Sequence, residues 1–250
     1  MLRFNQIVFQ YPGEDFNILD GLSFHVNPGE FVSIIGHSGC GKSTIFRLTN
    51  RLLTPRSGEI LINGESLEKG SRFCGYMPQQ DLLFPWRSVA ENLRLPMEIR
   101  GGLTRAEMDG RVQEALANVG LENQGNRRPS ELSGGMRQRA AFARTLLTGA
   151  ELLMLDEPFS ALDYLTRINM REWLLRQWER DRKTVLFITH DVEEAVFLSS
   201  RILVAERSPI TELRSIPVPL EYPRTLESLK DPRVLELKEQ LIGMLRRERV

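Results

Sequence analysis

The sequence predicts an α/β fold with a mainly parallel sheet core, an antiparallel β part at the N-terminus and a helical subdomain inserted in the middle. Three observations predict it. First, the apolar runs Phe31–Ile35, Leu152–Leu155, Thr184–Ile188 and Ile202–Ala205 alternate with helical patterns. Short, wholly apolar runs are the mark of strands buried on both faces, and helices between them imply parallel pairing. Second, Phe4–Gln10 and Leu22–Val26 read as strands with the turn Tyr11-Pro12-Gly13 between them. Third, no convincing strand occurs from Ser88 to Gly149, which reads as a helical insert.

The elements follow in order. Lys42–Leu53 is expected to be a helix, with Ile45, Phe46, Leu48 and Leu52 near one face. Glu59–Ile62 is a strand closed by Asn63-Gly64, a strong hairpin signal. Phe73–Met77 is a further strand candidate. Ser88–Leu95, Thr104–Val119 and Arg137–Thr148 are helical, and Thr104 with Glu107 makes a capping box. Helices at Leu165–Arg180 and Val192–Leu198 separate the later strands. Ser208–Arg224 holds four prolines and is expected to be irregular. A last helix starts at Asp231, an N-cap, with Pro232 in its first turn and Val234, Leu237, Leu241 and Met244 as its apolar stripe.

Composition excludes several classes. Lys+Arg and Asp+Glu are both 33, so the basic excess of a nucleic-acid binder is missing. No run of about 18 apolar residues is present, and the N-terminus lacks a signal-peptide pattern. The chain is therefore expected in the cytoplasm, with any membrane role exercised through a partner. Cys40 and Cys74 form no C-x-x-C and are expected to be free thiols.

Residues Gly36-His37-Ser38-Gly39-Cys40-Gly41-Lys42-Ser43 fit G-x-x-x-x-G-K-[ST], after a predicted strand and at the start of a predicted helix that continues with Thr44. The glycines let consecutive N–H groups point inward, and the helix N-terminus adds positive partial charge at the same place. Lys42 can reach β- and γ-phosphates, and the Ser43 hydroxyl can bind Mg²⁺. Downstream, Leu152–Leu155 delivers Asp156 and Glu157 at the C-terminal end of a strand, where open α/β sheets bind ligands. With a phosphate loop upstream, Asp156 is expected to serve the Mg²⁺ shell and Glu157 to orient the attacking water, because phosphoryl transfer needs mainly positioning and charge compensation. Ser133-Gly134-Gly135 opens a third helix and makes a second anion-binding end. One phosphate loop already wraps one nucleotide, so the second end points to a nucleotide held by another subunit.

Taken together, these residues resemble an ABC transporter ATPase, from about Phe4 to Ala205, and Leu132–Arg139 resembles that family's signature motif. The resemblance implies a P-loop NTPase (RecA-like) core and ATP and Mg²⁺ as ligands. On it, Tyr11 stacks on adenine, and Gln79 is the Q-loop glutamine that touches the metal or water, with Gln80 the other candidate. Ser160–Asp163 is the D-loop, and His190 contacts the γ-phosphate. Residues 1–87 and 150–207 would form the nucleotide-binding core, 88–149 the helical subdomain carrying the signature, and 208–250 a C-terminal extension.

The resemblance further implies a head-to-tail pair of ATPase subunits, identical or different, with ATP between the phosphate loop of one and Ser133–Gly135 of the other. It places the pair against the cytoplasmic face of the membrane, on integral-membrane permease subunits and indirectly served by a substrate-binding protein, with no nucleic acid. Met136 and His37 depart from the commoner Gln and Pro. Asp81–Trp86 carries four large apolar side chains that either form part of the permease groove or pack inside the insert. Leu82–Trp86, Met136, Leu162–Arg167, Trp173–Leu175 and Thr189–Val204 are similar to nitrate, sulfonate and taurine importer ATPases. Two alternatives stay open: the ATPase of an exporter or another importer class, and an ABC ATPase outside transport. The latter types carry long coiled-coil or zinc inserts, or two ATPase domains, and neither feature is seen in this sequence.

Overall fold

A computed structural model describes residues 1–68 and 74–246. The chain runs β1 (Leu2–Phe9), β2 (Leu19–Val26), β3 (Phe31–Gly36), α1 (Lys42–Thr49), β4 (Ser57–Ile62), β5 (Glu65–Ser66), β6 (Gly75–Met77), α2 (Val89–Arg100), α3 (Arg105–Asn118), α4 (Gly134–Leu146), β7 (Leu152–Asp156), α5 (Tyr164–Asp181), β8 (Thr184–Ile188), α6 (Val192–Leu198), β9 (Arg201–Ala205), β10 (Arg214–Pro217) and α7 (Pro232–Arg246). It divides into two compact units, residues 1–74 with 171–250, and residues 75–170.

The first unit holds two sheets. One is antiparallel, in the order β2-β1-β4-β5. Leu2, Phe4, Ile7 and Phe9 of β1 are buried, and Phe4 pairs with Phe24 on one side and Ile60 on the other. Asn63 and Gly64 have φ of 52° and 81°, the left-handed pair that a two-residue hairpin requires between β4 and β5. In the other sheet β3 pairs in parallel with β8 on one side and β9 on the other, and every residue of β3 is buried. That burial on both faces is why the run reads as continuously apolar rather than alternating.

Two expectations for this unit change. Helix α1 stops at Thr49, short of the expected Leu53, and Arg51 then takes a φ of 55°. Residues 208–224 are not wholly irregular. Arg214–Pro217 forms β10, antiparallel to β9, and Ile216 and Val218 are buried. Pro217 closes the strand rather than interrupting it, as proline at an edge strand can. Helix α7 lays Val234, Leu237 and Leu241 against Ala195, Val196, Ile202 and Val204, with Met244 partly buried beside them. The predicted stripe therefore covers the core of this unit.

In the second unit β6 and β7 pair in parallel, Gly75 with Leu153 and Met77 with Leu155. Phe73 of the expected strand lies outside the described residues. Ser88 caps α2 and Thr104 caps α3, each in a reciprocal capping box with a glutamate three residues on. Helix α2 runs past the expected Leu95 and accommodates Pro96, and α4 begins at Gly134, three residues before the expected Arg137. Among the described residues of 88–149 no strand is present.

Candidate functional site

The phosphate loop, residues 36–43, joins β3 to α1 in the first unit. Its glycines are dictated by space and by backbone angle. A Cβ on Gly36 would lie 2.9 Å from both Cβ and the carbonyl oxygen of Ala205. Gly41 sits at φ 115° and a Cβ there would come 2.6 Å from Ile18 Cγ2. Gly39 is left-handed at 82°. Gly41 is the N-cap of α1 and no side chain caps the helix, so its first N–H groups are left for another acceptor. The buried Lys42 donates to the carbonyl oxygens of Gly36 at 2.8 Å and His37 at 2.6 Å, and Cys40 Sγ lies 3.9 Å away. Its ammonium thus lies folded over the loop, among acceptors that a phosphate group can replace. Ser38 and Gly39 are exposed, Ser43 is half-buried, and Cys40 is buried.

Tyr11 belongs to the same place. Its hydroxyl lies 3.1 Å from Thr44 Oγ1 and accepts from Arg47 Nη1 at 3.3 Å. Its ring meets Phe9 edge-on at 4.9 Å. The structure therefore brings Tyr11, from the segment after β1, to Thr44 of α1, and both are expected nucleotide residues.

The second unit assembles the carboxylates. Asp156 ends β7 and is 4% exposed. Glu157 follows at φ 49°, in the left-handed region that a glutamate adopts only at a cost of about 1–3 kcal/mol. Its neighbours hold it there. Gln138 Nε2 donates to the Glu157 carbonyl at 3.2 Å, and Ser160 reaches the same oxygen through Oγ at 3.0 Å and N–H at 3.2 Å. Gln79 Nε2 donates to Glu157 Oε2 at 3.3 Å. Gln79 and Glu157, expected separately from sequence as the Q-loop glutamine and the water-orienting carboxylate, meet; Gln80 has no such bond among the described hydrogen bonds.

Gln138 lies within the Leu132–Arg139 stretch, and sequence reasoning assigns it no role. It is buried, and besides Glu157 it binds Ser160 Oγ at 3.1 Å and accepts from Ala161 N–H at 2.8 Å. It ties α4 to both the carboxylate turn and the D-loop. Gly135, also at the start of α4, would place a Cβ 3.3 Å from Ala161 O. Ser133 caps α4 by accepting from Met136 N–H at 3.2 Å, while Ser133 and Gly134 stay exposed. Arg137 donates to Asp81 Oδ2 at 3.0 Å and to Leu132 O at 2.8 Å, and Arg144 donates to the carbonyls of Asp81 and Leu82. Desolvation of Arg144 lowers its pKa, opposed by the Asp81 charge. These arginines pin the loop after Gln79 to the signature helix. Sequence gives no signal for this, because the pairs are more than 50 residues apart.

Within that loop Leu83 is buried, while Leu82 is 57% and Trp86 69% exposed. Asn92 holds it by bonding Phe84 N–H and O. The expectation that these residues pack inside is met by Leu83, whereas Leu82 and Trp86 face outward. In the first unit, His190 is exposed between Thr189 and Asp191, both bonded into α6.

The ABC transporter family profile matches residues 19–160. The chain belongs to the ABC transporter family. Its fold is that of the ABC ATPases, and its enzymatic activity is ATP hydrolysis coupled to transport. A formylaminopyrimidine import ATP-binding protein of Halalkalibacterium halodurans is 39% identical over 254 residues, covering 96% of this chain and 98% of the relative. A nitrate import ATP-binding protein of Synechococcus elongatus is 37% identical over 242 residues, covering 96% and 88%. Among solved structures, a dimeric post-hydrolysis ATP-binding cassette bound to ADP and Pi superimposes with a TM-score of 0.79 at 30% identity, covering 88% of this chain and all of that one. As an ABC ATPase the chain has, among its described residues, no helix long and apolar enough to cross a membrane.

Proposed function

We propose that this ABC ATPase pairs with a second ATPase subunit around ATP and powers import through a separate membrane permease, on substrates of the nitrate, sulfonate and taurine type. The observation that carries the hydrolytic part is the strained Glu157, held by Gln138 and Ser160 and met by Gln79. On this reading the N–H groups of residues 36–43 and the Lys42 ammonium bind phosphates, and Tyr11 stacks on the base. Glu157 holds and polarises the attacking water, His190 contacts the γ-phosphate, and Ser133–Gly135 bind the partner's nucleotide.

The residues fit a magnesium nucleotide. Gly36 and Gly41 leave no room for a side chain, α1 has no side-chain cap, and Asp156 is a carboxylate 4% exposed at a strand end. Ser43, Asp156 and Gln79 are the hard oxygen donors that would hold Mg²⁺. When bound, Mg²⁺ neutralises charge on the β- and γ-phosphates.

The import part is supported by the relatives, which are import ATP-binding proteins, and by the exposed Leu82 and Trp86, an apolar pair suited to a protein partner. It places the chain peripherally on the cytoplasmic face of the membrane, beneath permease subunits served by a binding protein. Phosphate release by the purified chain tests hydrolysis. Uptake of nitrate, alkanesulfonates and taurine by a deletion strain tests the substrate class: loss of one, restored by the wild-type chain but not by Glu157→Gln, is expected. Unchanged uptake of all three overturns that class.

A further inference from the structure

Residues 208–246 have no part in the assignments above, yet they grip both ends of α6, the helix that follows His190. At its N-terminal end Asp191 Oδ1 accepts from Glu193 and Glu194 N–H at 2.8 and 3.2 Å. Asp191 N–H donates to Thr189 Oγ1 at 3.0 Å, and Thr189 Oγ1 donates to Glu194 Oε2 at 2.7 Å. His190 is therefore flanked by two residues locked to the first turn of α6. Lys238 of α7 donates to Glu193 Oε2 at 2.9 Å, and Arg171 Nη1 lies 3.8 Å from Glu193 Oε1.

The other end of α6 is capped from the extension. Arg224, 6% exposed, sends Nη1 to the carbonyls of Val196, Phe197 and Ser199 at 3.0, 3.2 and 2.8 Å and Nη2 to Leu220 O at 2.7 Å. Tyr222 hydroxyl takes the remaining carbonyl, Leu198 O, at 2.9 Å. The Arg224 guanidinium lies 4.0 Å from the Tyr222 ring centroid, so the buried cation has an aromatic face as well as carbonyls. A cation on the last carbonyls of a helix complements the negative end of its dipole. Between the two ends, Val234, Leu237 and Leu241 of α7 pack against Ala195 and Val196.

We infer that the C-terminal extension is a positioning device for His190, with Arg224 as its fixed point and the Lys238–Glu193 pair as its second hold. A seven-residue helix pinned at both ends moves as one piece. The backbone that carries His190 is bonded into its first turn, so the extension sets where the imidazole stands. Arg224 acts through α6 and is a positioning residue. The inference rests on the assignment of His190 to the γ-phosphate.

The test is a double-mutant cycle between Arg224→Gln and His190→Ala in the full chain, read by phosphate release at saturating ATP and by titration with a fluorescent ATP analogue. The expected result is a turnover loss of about tenfold or more in Arg224→Gln, with nucleotide affinity held within about threefold. In the His190→Ala background the further loss should be under about twofold, because the two act as a unit. Equal loss with and without His190, or unchanged turnover in Arg224→Gln, overturns the inference while His190 keeps its role. Unchanged turnover in His190→Ala itself overturns both. If Arg224→Gln does not fold, the half-exposed pair decides: Lys238→Gln should lower turnover about twofold to fivefold only where His190 is present. No effect in either background overturns the inference.

Discussion

Gln79 Nε2 donates to Glu157 Oε2 at 3.3 Å, so the side chain expected to reach the metal or water bonds the carboxylate expected to orient that water. The contact is long for a charge-assisted bond, and it ties two loops 78 residues apart in sequence. Glu157→Gln keeps the shape of the side chain and removes its charge. Hydrolysis is expected to slow by about 10²–10⁴-fold, the scale of a lost general base, with ATP still bound. Single-turnover phosphate release checks the rate, and light scattering checks for an ATP-stabilised dimer. Rapid turnover in this variant would remove Glu157 from its role.

Gln138→Ala is expected to act on the same carboxylate from behind. It deletes the donors to Glu157 O and Ser160 Oγ and the acceptor for Ala161 N–H, all in a buried position. Leaving such groups unsatisfied costs about 1–3 kcal/mol of stability. The left-handed Glu157 would lose one of its restraints, and misplacing a reacting group by a fraction of an ångström costs about tenfold to a hundredfold in turnover. Nucleotide affinity, set by the phosphate loop, should change little. Turnover equal to wild type at matched folding would show that Ser160 alone holds Glu157.

Much of this site was legible in sequence, and for physical reasons. The phosphate loop is contiguous, and each glycine has a local cause, a left-handed angle or a wall such as Ala205 or Ile18. Buried parallel strands announce themselves as unbroken apolar runs, and α6 spans the expected Val192–Leu198, with Asp191 as its cap. What sequence did not show depends on distant partners. Arg137 and Asp81 form a side-chain pair 56 residues apart, and the bonds of Arg144 to the Asp81 and Leu82 carbonyls and of Arg224 to α6 join side chains to backbone oxygens across 25 to 63 residues. A backbone carbonyl carries no residue-type signal. Strand β10 was missed because the prolines of Ser208–Arg224 dominate its composition, although Arg214–Ile216 has room for antiparallel pairing before Pro217.

Lys42→Ala is expected to lose most ATP binding. The ammonium donates to the Gly36 and His37 carbonyls in the structure and, on the proposed reading, is the charge that meets the phosphates. Removing one partner of a desolvated charge pair costs about 2–5 kcal/mol. At about 3 kcal/mol the affinity falls by about a hundredfold, which a fluorescent-nucleotide titration reads directly. Unchanged affinity would count against the phosphate-loop assignment.

Glu30 should make the fold acid-sensitive. Burial raises its pKa, but the fork from Arg201 at 2.7 and 2.9 Å and the Asn27 N–H at 2.9 Å outweigh it and hold the carboxyl below its ordinary 4.5. A carboxyl whose folded pKa is depressed contributes stability that is fully present above its unfolded value and is lost as pH falls through the folded one. The contribution should therefore be intact at neutral pH and decline below about 4.5. Both side chains are largely buried, at 15% and 17% exposure, so screening by solvent is limited. Glu30→Gln should lower stability at pH 7 by about 2 kcal/mol, the scale of hydrogen bonds to a charged group. Its deficit against wild type should narrow as the pH is taken below 4.5, where wild type also loses the charge. Denaturant melts at pH 7 and pH 4 compare the two proteins. A deficit that stays constant across that range would mean the charge of Glu30 contributes nothing and its packing alone matters.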